Sequence, residues 1–139
     1  MSKFSALLLS AALLTTGVQA QAASRPRETG EEKLAKAIEG RIAGKPVNCI
    51  NFRDIRSSRI ISGTAIIYEG SNGTLYVNRP ASGASTLRTG DALVTRTSLS
   101  QLCNVDIVRL LDTASRFERG SIGLGQFVPY PRVKAAKAG

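Results

Sequence analysis

Two short apolar runs, Thr64–Glu69 and Thr74–Asn78, joined by Gly70, Ser71, Asn72 and Gly73, constrain the fold of this chain more than any other segment. Asparagine followed by glycine tolerates the positive φ of a type I′ turn, so the runs are predicted to be adjacent antiparallel strands. With Asn72 and Gly73 as a two-residue loop, Tyr68 faces Val77 and Glu69 faces Tyr76. Ile66, Tyr68, Leu75 and Val77 then share the core face, while Glu69, Tyr76 and Asn78 look outward. Asn72-Gly73-Thr74 also matches a glycosylation sequon, but turn chemistry accounts for the same residues.

The same β-type patterning continues on both sides. Val47–Phe52, whose β-branched character Arg59–Ile61 continues, Asp91–Thr97, Leu102–Leu111 and Ile122–Tyr130 are the further predicted strands. In the third of these Leu102, Val105, Val108 and Leu111 also fit a helical spacing, and the β-branched content favours a strand. Gly123 and Gly125 mark a bulge or a close backbone approach, and Pro129 and Pro131 end the last run. Residues 80–86 and 112–120 are loop-like. Before Pro46 the period is helical: Thr29 and Glu32 form a capping-box pattern, and Leu34, Ile38 and Ile42 make one narrow stripe. Gly44 and Pro46 are stop signals. The expected fold is mainly β, a small single-domain barrel or sandwich of five to six short antiparallel strands preceded by one amphipathic helix. The helix either lies on the domain by its stripe or projects as an arm.

The first residues have the pattern of an export signal: Lys3, an apolar run from Phe4 to Leu14, then small residues with cutting after Ala20 or after Ala22. The run is too short to span a bilayer, and no later segment is long and apolar enough to do so. The chain therefore divides into a signal peptide at 1–22, a linker and helix at 23–45, a β domain at 46–131 and a flexible basic tail at 132–139. In an exported chain the two cysteines, Cys49 and Cys103, form a disulfide first of all; a reactive thiol or metal ligands are the alternatives. Such a bridge closes a long loop, worth about 4 kcal/mol by chain entropy.

The 139 residues contain no histidine, which removes the usual general base, a Cys–His nucleophile and any Cys/His zinc site. No metal site and no cofactor is indicated. Asp54, Glu69, Asp91, Asp106, Asp112 and Glu118 are scattered singly, which is the spacing of solvated or salt-bridged carboxylates, so no catalytic residue is assigned. Gly120, Gly123 and Gly125 lack the spacing of a phosphate-binding loop and point instead to tight strand packing. The formal net charge is +9, much of it before residue 46 and after residue 131. That balance suits an anionic envelope component, while sparse aromatics and no tryptophan argue against nucleic acid. The one basic constellation is Arg53, Arg56 and Arg59, a candidate anion site if a turn brings the side chains together and surface charge if none does.

Several short motifs resemble, in order, those of a family of small exported proteobacterial proteins of unknown function. They are Cys49-Ile50, Ile55-Arg56, Thr64–Ile67, Asn78-Arg79, Leu102-Cys103 with Asp106–Val108, and Leu124-Gly125 with Phe127. The likeness covers about residues 47 to 130. Such proteins often carry two further cysteines, at places that correspond here to Ala84 and Ile122. The resemblance implies a periplasmic β domain that has lost that bridge and kept Cys49–Cys103; it brings no catalytic residues. The functional expectation is a periplasmic or secreted, non-enzymatic module that binds an envelope protein or an anionic envelope component. A small envelope enzyme or thiol-active protein, and an inhibitor of a foreign hydrolase, are the alternatives.

Overall fold

The computed structural model describes residues 25–134. The expected signal peptide at 1–22 and residues 135–139 of the expected tail lie outside them. One helix, α1 (Gly30–Ala37), precedes nine short strands among the described residues. These are β1 (Cys49–Asn51), β2 (Ile55–Ile61), β3 (Ala65–Gly70), β4 (Leu75–Asn78), β5 (Asp91–Thr95), β6 (Gln101–Cys103), β7 (Ile107–Asp112), β8 (Glu118–Gly123) and β9 (Phe127–Tyr130). All pair antiparallel, in a four-stranded sheet β2-β3-β4-β9, a three-stranded sheet β5-β7-β8 and the small pair β1-β6. Among the described residues no sheet closes on itself, so the fold is a sandwich and not a barrel.

Two apolar clusters lie on opposite faces of the four-stranded sheet. Ile60, Ile66, Tyr68 and Phe127 face Val108, Leu110 and Ile122 of the three-stranded sheet, with Ile50, Leu87, Leu102 and Leu124 closing the ends. Ile61, Ala65, Ile67, Leu75 and Val77 face the other way, and α1 covers them with Leu34, Ala37 and Ile38. The helix is thus a third layer of the domain. Its N-terminus carries the expected capping box: Glu32 N–H donates to Thr29 Oγ1 at 3.2 Å and Thr29 N–H donates to Glu32 Oε2 at 2.7 Å. The stripe is shorter than expected. The helix stops at Ala37, Gly40 turns the chain with φ +73°, and Ile42 is 83% exposed.

The hairpin is in place but its register differs by one residue from the expected one. Gly70 N–H donates to Thr74 O at 2.8 Å and Gly73 N–H to Gly70 O at 2.9 Å, a three-residue loop with Gly73 at φ +81°. Asn72 Oδ1 holds it by accepting from Thr74 N–H at 3.0 Å. Tyr68 therefore faces Tyr76, and Glu69 faces Leu75. Because side chains alternate with period two, the slip moves Leu75 and Val77 to the helix side and turns Asn78 into the sandwich core. Asn78 is fully buried there, its Nδ2 donating to Gly125 O at 2.6 Å and its Oδ1 accepting from Gly125 N–H at 3.1 Å.

Nine strands replace the expected five to six because three runs break, the first of them at the 3₁₀ turn Phe52–Asp54 between β1 and β2. Leu102–Leu111 forms two strands of different sheets and not a helix, and it is cut by a turn in which Asp106 Oδ2 accepts from Cys103 N–H at 2.7 Å. Ile122–Tyr130 is cut where Gly123 and Gly125 pass close to other chain. A Cβ at Gly125 would fall on the carbonyl oxygen of Arg79, and one at Gly123 would lie 2.7 Å from Ser82 Oγ. Pro129 does not end the last strand but sits inside β9, an edge strand. Its carbonyl accepts from Gly44 N–H at 2.7 Å, on the side where a proline lacks only an outward donor. Ala84 lies in a single 3₁₀ turn, and the adjoining Gly83 lies against Ile122 of β8.

Candidate functional site

Cys49 and Cys103 stand directly opposite each other in the β1–β6 pair and are joined as a disulfide. The loop they close spans 54 residues and contains β2, β3, β4 and β5, so both main sheets hang from one bridge. No free cysteine is present.

The three arginines of the basic constellation lie along one stretch of chain but point into different surroundings. Arg53 sits in a 3₁₀ turn (Phe52–Asp54) and lines a pocket of about 400 Å³ with Asn51, Asp54 and Ser100. Arg56 is the extra residue of a bulge, between Ile55 opposite Gly70 and Ser57 opposite Glu69. Arg59 lies opposite Ile67, on the face of the sheet that α1 covers. All three are exposed and form no ion pair with any described residue.

Arg59 instead meets two cations from the helix. Lys33, Lys36 and Ala37 of α1, Arg59, Ile60 and Ile61 of β2, and Thr89 line one groove of about 440 Å³. Thr89 closes one end: its Oγ1 donates to Ile60 O at 3.1 Å, and its N–H donates to Ser62 Oγ at 2.9 Å. Arg59 also lines a smaller hollow of about 160 Å³, where Ser57 Oγ donates to Glu69 Oε2 at 3.2 Å. Lys36 is ion-paired with Glu28, whose hydrogen bond holds the ammonium pKa above its ordinary value. Lys33 and Arg59 have no ion-pair partner among the described residues, and Glu69 is the carboxylate that shares the smaller hollow with Arg59.

Helix geometry puts the lysines there. With residues about 100° apart, Lys33, Lys36 and Ala37 fall on one flank of the buried Leu34 and Glu31 on the other. Glu31 grips Arg79 through two bonds, of 2.7 and 2.9 Å, which hold its carboxyl below the ordinary range. The acidic flank is thereby fixed beyond the end of β4, and the basic flank faces β2. Lys33 and Lys36 were not among the expected site residues, because a helix wheel shows which residues share a flank but not which strand that flank meets.

The carboxylates remain dispersed with one exception. Asp91 and Asp112 stand opposite each other on β5 and β7, and Arg119 lies between them at 3.4 and 3.2 Å. The Asp91 side chain is 3% exposed and its Oδ2 has no partner among the described residues. Backbone N–H groups of Ser115 and Ala114, with Arg119 behind them, hold the Asp112 carboxyl below the usual range. Two carboxylates sharing one guanidinium and two backbone donors form a structural ion cluster. No group of three His, Cys, Asp or Glu side chains among the described residues is placed to hold a metal. No helix among them is long and apolar enough to cross a membrane. Comparison with known proteins finds no matching family model, no matching curated protein and no matching solved structure.

Proposed function

We propose that this is an exported, non-enzymatic module of the cell envelope that binds an anionic partner in the groove between α1 and β2. The observation that carries the reading is the meeting of Lys33, Lys36 and Arg59, from two separate elements, along one groove. Arginine and lysine there offer a planar fork and a mobile point charge to carboxylate or phosphate. The disulfide and the signal-like start support a compartment outside the cytoplasm.

The test is salt elution from immobilised heparin and immobilised lipopolysaccharide. Lys33→Glu with Arg59→Glu is compared with a control, Arg96→Glu with Arg116→Glu, that changes net charge equally away from the groove. The expected result is retention of the native protein and elution of the groove variant at much lower salt than the control. Equal elution of the two variants, or no salt-sensitive retention of the native protein, refutes the reading.

A further inference from the structure

We propose that the open edge of β2 takes up an extended, acidic segment of a partner protein as a fifth strand of the four-stranded sheet. This rests on the anion-binding reading of the groove and names the class of partner. Ile60 and Ile61 are successive residues and point to opposite faces of the sheet, yet both line the groove. A groove that touches both faces runs along the strand's edge, so its wall includes the backbone of β2.

That edge is open, whereas the opposite edge of the same sheet, β9, is covered. Val47 bridges to Phe127 along β9, and Gly44 N–H reaches Pro129 O beside it. Among the described residues no main-chain group bonds to the outer side of Arg56–Arg59. The direction of the free groups follows from Thr89. Its hydroxyl reaches the Ile60 carbonyl from outside the sheet, so Ile60 turns its carbonyl away from β3. Residues of an antiparallel strand alternate with period two, so the N–H and C=O of Ser58 face outward as well. An outward donor and acceptor beside small serine side chains form a template for strand addition.

The charges choose the occupant. Arg56 and Arg59 on the strand and Lys33 on the helix carry no ion pair among the described residues. A second copy of this chain, pairing edge to edge, would crowd the arginines of both copies along one seam, which is destabilising. The same arginines and the bulge at Arg56 guard the edge against self-association. A strand with carboxylates on its alternate residues meets the opposite situation: its main chain satisfies Ser58, and its side chains meet Arg59 and Lys33.

The probe is a short fluorescein-labelled peptide of alternating valine and glutamate, titrated by fluorescence anisotropy into the full disulfide-bonded protein. Its counterpart carries N-methyl groups on alternate backbone amides, with the same charge and side chains but without the strand's donors. The expected result is saturable binding that weakens about tenfold on N-methylation and is lost in Arg59→Glu. Ser58→Pro, which removes the outward N–H, is expected to weaken the unmethylated peptide by at least a similar factor. If that variant does not fold, the two peptides on native protein decide alone. Equal, Arg59-dependent binding of both peptides overturns strand addition and leaves the anion-binding groove standing. No peptide binding, with Arg59-dependent retention on heparin, overturns it in favour of an acidic polysaccharide. Loss of both responses removes the groove reading itself.

Discussion

Replacing both Cys49 and Cys103 with alanine removes the single covalent constraint on a sandwich whose two main sheets both begin inside the bridged loop. In the chain-entropy treatment a loop of the observed length, 54 residues, costs the open unfolded chain about 4 kcal/mol on closure. Domains of this size are stable by about 5–15 kcal/mol, so the bridge is a large share of the total. At about 4–8 °C per kcal/mol, the melting temperature should fall by about 15–30 °C. The assay is urea unfolding of the oxidised protein and the double variant, followed by circular dichroism, with thermal melts beside it. Because the constraint acts on the unfolded ensemble, the variant should retain the native β signal at low temperature and unfold at lower urea. A loss below about 1 kcal/mol would refute the loop argument and leave the disulfide as a local clasp between β1 and β6.

Three other perturbations test the packing. Gly125→Ala puts a methyl group on the Arg79 carbonyl and strains both Asn78 hydrogen bonds; urea unfolding should show a loss of about 1–3 kcal/mol. Leu34→Ala empties the contact that seats α1; it should cost about 2–3 kcal/mol, raise binding of an apolar dye and abolish heparin retention. Asp112 has a folded pKa below its unfolded value, so its contribution is full above the unfolded value and is lost as pH falls through the folded one. Glu31 and Glu32 are lowered too and titrate in the same acid range, so the comparison must be with a variant. Melting temperature followed from neutral pH downward should fall less steeply in Asp112→Asn than in the native chain, and parallel curves would count against the cluster.

The mainly β architecture is legible in the sequence because its local signals are strong: the capping box of Thr29 and Glu32, the turn at Gly73, and β-branched residues throughout. Faces and boundaries are less so. Asn72 and Gly73 suit a two-residue and a three-residue loop alike, since both need positive φ near Gly73, and the choice moves every later side chain to the other face. Composition on the strands cannot break the tie, because Ala65–Tyr68 are apolar on both faces and all buried. That continuous run is the mark of a strand covered on two sides, and the second cover is α1, a helix of only eight residues. Likewise Val105, 82% exposed between β6 and β7, has the composition of a strand residue and the position of a turn. Asp106, taking the Cys103 N–H, decides that position.

The groove was hidden for a different reason. Its strand half, Arg59, is visible as part of a run of arginines, but spacing along one strand cannot make three of them converge. Its helix half needs a long-range fact, which flank of α1 lies over which edge of the sheet. Two contacts fix it. Gly30 starts the helix against Thr64 and Ser62, where any side chain would collide with the Thr64 hydroxyl, so the helix begins over the β2–β3 turn. Glu31, held by Arg79, then sets the rotation about the helix axis. With position and rotation fixed, Lys33 and Lys36 have only the β2 side to face. Separating these two anchors from the cations they aim is possible: Arg79→Leu leaves Lys33, Lys36 and Arg59 untouched yet removes the grip on Glu31. Heparin retention weakened beyond the loss of one charge, measured against Arg96→Leu, would follow if rotation of the helix aims the groove, and equal retention would show that Leu34 and Gly30 suffice.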